Sequence, residues 1–143
     1  MHLTSSAFED GDSIPERYTC DGVDVSPPLT IEDVPAGTAA LVLVMDDPDA
    51  PSGVWDHWIA YDIPVATEIE EAAVSLGTTG RNSWGRMAYG GPCPPGGTHR
   101  YVFTLYALDT RLELGSGADK ASVIAATADH VLAEAKLVGR YSR

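Results

Sequence analysis

The ten prolines of the chain lie in clusters that separate short apolar segments. The longest apolar run covers residues 39–45, whereas a helix that spans a membrane needs about 20 apolar residues. Four segments, at 3–8, 39–46, 54–63 and 101–108, are rich in β-branched and aromatic residues and are bounded by glycine, proline or aspartate, as strands are. Because residues 39–45 are apolar on both faces, we predict a mainly β protein with this segment as a fully covered central strand.

A helix is predicted near the C-terminus. Apolar residues recur with helical spacing between residues 119 and 138, Asp119 can cap the N-terminus, and Gly139 can end the helix. A chain of 143 residues has the size of one domain, so we predict a single domain covering residues 1–143. The expected architecture is sheet packed on sheet, with the late helix at the edge.

The charge balance excludes some partners. Nine Lys and Arg against 21 Asp and Glu give a net charge of −12, which repels nucleic acid and anionic membrane surfaces. We predict a halophilic protein, because concentrated salt screens such self-repulsion; an ordinary acidic cytosolic protein is the alternative. The first six residues lack the basic and apolar regions of a signal peptide, so we expect a cytoplasmic location.

The two cysteines, Cys20 and Cys93, lie far apart in the chain and form no CxxC pair. This excludes a disulfide-dense scaffold and the standard cysteine zinc sites. We expect two buried thiols, and the sequence leaves open a single bridge between them.

Most sequence signatures of catalysis are missing. The chain has no GxxxxGK[ST] phosphate loop, no GxGxxG after a strand, no HExxH and no GxSxG. Nucleotide hydrolysis, dinucleotide redox chemistry, zinc-dependent proteolysis and α/β-hydrolase chemistry therefore have no support from motifs.

Polar residues gather instead at the ends of the predicted strands. Asp47 and Asp49 directly follow the covered strand, and carboxylates close to a core need a partner. Strand alternation places His57 on the more apolar face of its segment, and it places His99 beside Tyr101 at the start of the last predicted strand. The sequence therefore indicates a candidate site of two aspartates, two histidines and a tyrosine, although each alone is typical of an ordinary turn or core.

The alternation in segment 54–63 also makes a specific prediction about direction. His57 should share its face with Trp55, Ile59 and Tyr61.

A glycine-rich stretch, residues 75–97, separates the two histidine segments and contains Arg81 and Arg86. Glycines leave backbone N–H groups accessible to an anion, and prolines keep such a rim rigid. Long loops in compact proteins are usually functional or disordered. We predict a basic lip for an anion site, with a plain surface loop as the alternative.

Several of these motifs resemble the phosphatidylethanolamine-binding protein family, and more narrowly its prokaryotic Raf-kinase-inhibitor-like branch. The resemblance rests on residues 46–51 (DDPDAP), 55–58 (WDHW), 90–95 (GGPCPP) and 99–101 (HRY). It continues through shorter matches over nearly the whole chain.

The resemblance implies a β-sandwich of two antiparallel sheets with a peripheral C-terminal helix, and a small pocket for phosphate-like or carboxylate groups without metal or other cofactor. Residue by residue, it assigns to the pocket Asp47, Asp49, Trp55, His57, Pro92, His99 and Tyr101. Asp47 and His57 would form the floor, with His99 and Tyr101 opposite. The histidines would donate to the anion while Asp47 fixes a ring tautomer.

The expected function is therefore non-enzymatic binding of a small anion, with modulation of a protein such as a kinase or protease, and the resemblance also suggests a homodimer. One alternative is a metal- or His/Asp-dependent hydrolase. Another is a module that reads phosphorylated peptides through Arg81 and Arg86. Replacing His57 or His99 by alanine should weaken anion binding by about 1.5–3 kcal/mol and leave the fold intact, since both are expected at a rim.

Overall fold

The computed structural model describes residues 1–143 and contains two antiparallel sheets, one α-helix and a 3-10 helix, Glu16–Tyr18. The strands are β1 (His2–Thr4), β2 (Leu29–Glu32), β3 (Ala40–Asp47), β4 (Trp55–Ile63), β5 (Glu68–Ile69), β6 (Thr78–Thr79), β7 (Thr98–Leu108) and β8 (Val131–Ser142), and α1 spans Lys120–Thr127. The small sheet has the order β1-β2-β5 and the large sheet β6-β4-β3-β7-β8. This confirms the predicted mainly β, two-sheet fold. No helix has the length and apolar composition that crossing a bilayer requires.

The centre of the large sheet is β3, as predicted. Leu41, Leu43 and Met45 face the small sheet and belong to the core between the two sheets. Val42 and Val44 face the other way and pack in a second cluster with Val123 of α1. Both faces of β3 are therefore covered, which explains why the segment is apolar at nearly every position.

The predicted C-terminal helix begins where expected but is much shorter. Asp119 caps α1 by accepting a hydrogen bond from the backbone N–H of Ser122 at 2.9 Å. The helix ends at Thr127, and Asp129 adopts a positive φ of 69° as the chain turns into β8. The prediction of helix as far as residue 138 is wrong.

Pairing with β7 explains why residues 131–142 are a strand. β8 pairs with β7 along its whole length, and without it the outer edge of β7 would lack hydrogen-bond partners. Gly139, expected to end the helix, lies inside β8. A Cβ atom there would be 2.4 Å from Cγ1 of Ile14, so this position packs against the core.

The expectation of two buried thiols is also wrong. Cys20 and Cys93 form a disulfide across a sequence separation of 73, and both residues are exposed. The backbone N–H of Cys20 also donates to the carbonyl of Pro92 at 3.1 Å. The bridge therefore ties the loop after the 3-10 helix to the Gly-Pro segment before β7.

Candidate functional site

A cavity of about 390 Å³ opens at one edge of the large sheet. β3 ends there, and its two antiparallel neighbours, β4 and β7, begin there, so the sheet topology brings together side chains from distant parts of the sequence. Five of the seven predicted site residues line the cavity: Asp47, Trp55, His57, His99 and Tyr101. The remaining two, Asp49 and Pro92, are not among its lining residues.

Asp49 pairs with Arg100 instead of lining the cavity. Its carboxylate accepts hydrogen bonds from Nε and Nη2 of Arg100 at 2.9 and 2.8 Å, and from the Arg100 backbone N–H at 2.9 Å. These bonds hold the pKa of Asp49 at about 2. Asp49 therefore fixes the turn after β3, while Pro92 contributes its carbonyl to Cys20.

A β-bulge sets the direction of the His57 side chain. Met45 pairs with Trp58 and Asp46 pairs with Asp56, so His57 is an extra residue without a partner on β3. Its ring packs edge-on against Tyr101, which belongs to the core between the sheets, with ring centroids 5.2 Å apart. His57 is only 3% exposed, so it lies deeper than a rim position.

The predicted sharing of a face by His57, Ile59 and Tyr61 is therefore wrong, because Ile59 and Tyr61 pack on the α1 side of the sheet. A bulge commonly redirects a side chain in this way. On the N-terminal side of the bulge, the side chains again alternate between the two faces of the sheet. Trp55 lines the cavity, and Asp56 pairs with Lys120 of α1 at 2.7 Å.

Hydrogen bonds fix the proton on the Nδ1 atom of His57. Nδ1 lies 2.7 Å from the carbonyl oxygen of Gly90, which can only accept, so Nδ1 carries the hydrogen. Burial lowers the pKa of His57, and it outweighs the Gly90 and Gly91 carbonyls and the Asp47 and Asp46 carboxylates, which act in the opposite direction. The neutral ring therefore leaves Nε2 as an acceptor.

Asp47 pairs with His99 and not with His57. Oδ2 of Asp47 lies 2.6 Å from Nδ1 of His99, and Oδ1 accepts the backbone N–H of Asp49 at 2.8 Å. Asp47 and His99 are 4% and 7% exposed, which makes this a buried pair. The predicted rim position of His99 is therefore wrong, while the expected role of Asp47 in fixing a ring tautomer applies to His99.

Two buried donors in the cavity wall have no partner in the protein. They are the hydroxyl group of Tyr101 and Nε1 of Trp55. Burial, followed by the nearby Asp47 carboxylate, raises the pKa of Tyr101, so its hydroxyl keeps its proton. An unpaired buried donor costs about 1–3 kcal/mol, so both groups indicate that the cavity receives acceptor atoms.

The glycine-rich stretch supplies one wall of the cavity through Trp84 and Arg86. The Arg86 guanidinium lies 5.7 Å from the Trp84 ring centroid, and that ring packs edge-on against His57 at 4.9 Å. The Asn82 carboxamide oxygen accepts the backbone N–H groups of both residues and fixes the turn. Arg81 is not among the lining residues, so the predicted lip contains one arginine.

Sequence reasoning missed other parts of this wall. Trp84 lies within the predicted anion-binding stretch, two residues before Arg86, but is not among the predicted site residues. The disulfide and Asp24 also line the cavity. Asp24 is exposed and accepts the Gly91 N–H at 2.8 Å, and no local pattern distinguishes it from other surface aspartates.

No group of three or more His, Cys, Asp and Glu side chains is arranged to hold a metal ion.

Comparison with known proteins places this geometry in context. The family model described as phosphatidylethanolamine-binding protein matches residues 4–142. A UPF0098 protein of Methanothermobacter thermautotrophicus is 50% identical, and the alignment covers 100% of this chain and 99% of that protein. A crystal structure of a phosphatidylethanolamine-binding protein homologue from Chlamydia trachomatis superposes with a TM-score of 0.96 at 41% identity, covering 99% of this chain and 97% of that one. The crystal structure of an Escherichia coli protein, described as a new member of the mammalian phosphatidylethanolamine-binding protein family, superposes with a TM-score of 0.92 at 30% identity. The superposition covers 99% of this chain and 98% of that one.

Proposed function

Because the chain belongs to the phosphatidylethanolamine-binding protein family, we propose that it is a non-enzymatic protein that binds a small oxyanion in the cavity beside β3, β4 and β7. The ligand class comprises phosphate, phosphorylated head groups and carboxylates. The observation that carries the proposal is the pair of buried, unpartnered donors, Trp55 Nε1 and the Tyr101 hydroxyl. An indole N–H can only donate, so an acceptor must satisfy it.

Interactions inside the cavity have to outweigh the electrostatic repulsion between an anion and the negatively charged protein. The net charge of −12 repels an anion at long range, and salt weakens this repulsion. Arg86 is the one Arg or Lys side chain that lines the cavity, and it lies against Trp84. Binding would therefore depend on short-range hydrogen bonds and one cation.

Two further observations argue against cysteine and tyrosine as covalent nucleophiles in the cavity. The only two thiols of the chain are joined in the disulfide. The raised pKa of Tyr101 keeps its hydroxyl protonated and therefore a poor nucleophile. Modulation of a kinase or protease, a homodimer and a cytoplasmic location stay predictions.

Calorimetric titration with inorganic phosphate tests the proposal. Tyr101→Phe and Trp55→Phe each remove one donor, and each should weaken binding about tenfold or more, as expected for a hydrogen bond to a charged group. Tyr106→Phe is the control, because Tyr106 packs on the other face of the sheet. Unchanged affinity in both cavity variants would contradict the proposal.

A second candidate is an acid–base enzyme, favoured by the Asp47–His99 pair. A carboxylate 2.6 Å from Nδ1 orients a histidine as it does in enzymes that use a general base. Turnover of p-nitrophenyl phosphate or a nitrophenyl ester, abolished by His99→Gln, would support this candidate. Substrate binding without turnover would favour the binding protein.

A further inference from the structure

The cavity combines fixed donors with a fixed acceptor. Trp55 Nε1 and the Tyr101 hydroxyl donate. The hydrogen bond of the His57 ring runs from Nδ1 to the Gly90 carbonyl, so Nε2 of the neutral ring carries no proton and can only accept. An oxyanion without a hydrogen satisfies only the first two groups.

The tautomer of His57 is held by its surroundings. His57 and Gly90 bond to each other twice, because the Gly90 N–H also donates to the His57 carbonyl at 3.1 Å. Gly90 lies next to Gly91, whose N–H is bound by Asp24, and near Cys93 of the disulfide. Moving the proton to Nε2 would break the Nδ1 bond at a residue that is 3% exposed.

We propose that the cavity selects oxyanions that retain an acidic proton, such as hydrogen phosphate or a singly protonated phosphate monoester, over sulfate and phosphodiesters. This inference rests on the proposed anion-binding function. The retained P–OH group donates to Nε2 of His57, and the unprotonated oxygens accept from Trp55 and Tyr101. A phosphodiester head group has no hydroxyl on phosphorus, so the intact linkage of a phospholipid is disfavoured.

An anion without a hydrogen would be matched by Nε2 only if the His57 ring were protonated. Protonation would turn Nε2 into a donor, but burial opposes the charged form and lowers the pKa of His57. Without that proton, the Nε2 lone pair faces an oxygen lone pair.

The matched test is hydrogen phosphate against sulfate by calorimetry at about pH 7.5 and constant ionic strength, with dimethyl phosphate as the phosphodiester. Hydrogen phosphate and sulfate share charge and shape and differ by one hydroxyl. Hydrogen phosphate should bind roughly ten- to a hundredfold more tightly than either of the others, the range for one hydrogen bond to a charged group. Equal binding of phosphate and sulfate would overturn the inference and leave the anion-binding function standing. Failure of all three to bind would overturn the function itself.

The His57→Asn variant tests the acceptor role of Nε2 by itself. The asparagine Nδ2 can keep the bond to the Gly90 carbonyl, whereas no acceptor remains at the position of Nε2. The ratio of phosphate to sulfate affinity should fall towards one, while the control His130→Asn, at an exposed histidine, keeps the wild-type ratio. A wild-type ratio in His57→Asn would overturn the inference.

Nitrogen-15 NMR of the unmodified protein gives an independent check that needs no variant. His57 should show a protonated Nδ1 and an unprotonated Nε2 when hydrogen phosphate is bound. The opposite tautomer would overturn the inference even if His57→Asn did not fold.

Discussion

Removing His99 should destabilise the protein because it leaves a buried carboxylate without its partner. Oδ2 of Asp47 lies 2.6 Å from Nδ1 of His99, and the two side chains are 5% and 8% exposed. In His99→Ala, Oδ1 of Asp47 keeps its bond from the Asp49 N–H, but Oδ2 loses its hydrogen-bond donor. The energetic effect comes from the stranded charge more than from the lost contact.

The size of the effect follows from burial. Breaking one side of a buried pair costs about 3–5 kcal/mol, and the remaining bond to Asp47 favours the lower end. A loss of about 3 kcal/mol is a large fraction of the 5–15 kcal/mol that stabilises a typical domain. It corresponds to a fall in Tm of roughly 10 °C for a chain of this length.

Urea unfolding followed by circular dichroism measures the loss. The double variant Asp47→Asn/His99→Ala removes the charge, keeps an acceptor for Asp49, and should recover at least half of the stability. His130→Ala is a matched control, since His130 Nδ1 lies 2.8 Å from Asp109 but the side chains are 43% and 49% exposed. That variant should lose less than about 1 kcal/mol. Equal stability of the single and double His99 variants would refute the stranded-charge argument.

Three further predictions concern pH, packing and salt. Acetate brings no proton of its own near neutral pH, so it should bind more tightly when His57 is protonated. Because burial lowers the pKa of His57, acetate affinity should be low at about pH 8 and rise as the pH falls through that pKa. A calorimetric profile that is flat with pH would contradict this. Gly139→Ala should lose about 1–3 kcal/mol in urea unfolding, because its Cβ would lie 2.4 Å from Ile14, whereas Gly96→Ala meets no atom within 4 Å and should be nearly neutral. Equal losses in the two variants would argue against the packing. If the net charge of −12 is a salt adaptation, Tm should rise steeply as KCl increases from millimolar to molar concentrations, and a flat response in calorimetry would remove the halophilic interpretation.

Structural features that depend on one segment alone were predicted correctly from the sequence. The double-sided apolar run at 39–45 identifies β3 as a covered central strand, because a strand buried on both faces needs apolar residues at successive positions. The predicted placement of His99 beside Tyr101 was also correct: both line the cavity, since β7 keeps regular alternation there. The residues at the ends of β3, β4 and β7 converge because these strands are antiparallel neighbours in the sheet.

Tertiary structure decided what depends on a partner segment. Residues 131–138 carry apolar residues that suit a helix, but the unpaired edge of β7 made them a strand. The bulge opposite β3 directs the His57 side chain into the cavity. The contact with Arg100 holds Asp49 outside it. Cys20 and Cys93 became a bridge because the chain brings their Cα atoms within 5.5 Å. Sequence periodicity reports which side chains one segment can bury, whereas strand pairing, bulges and ion pairs are set by the free energy of groups that meet only after folding.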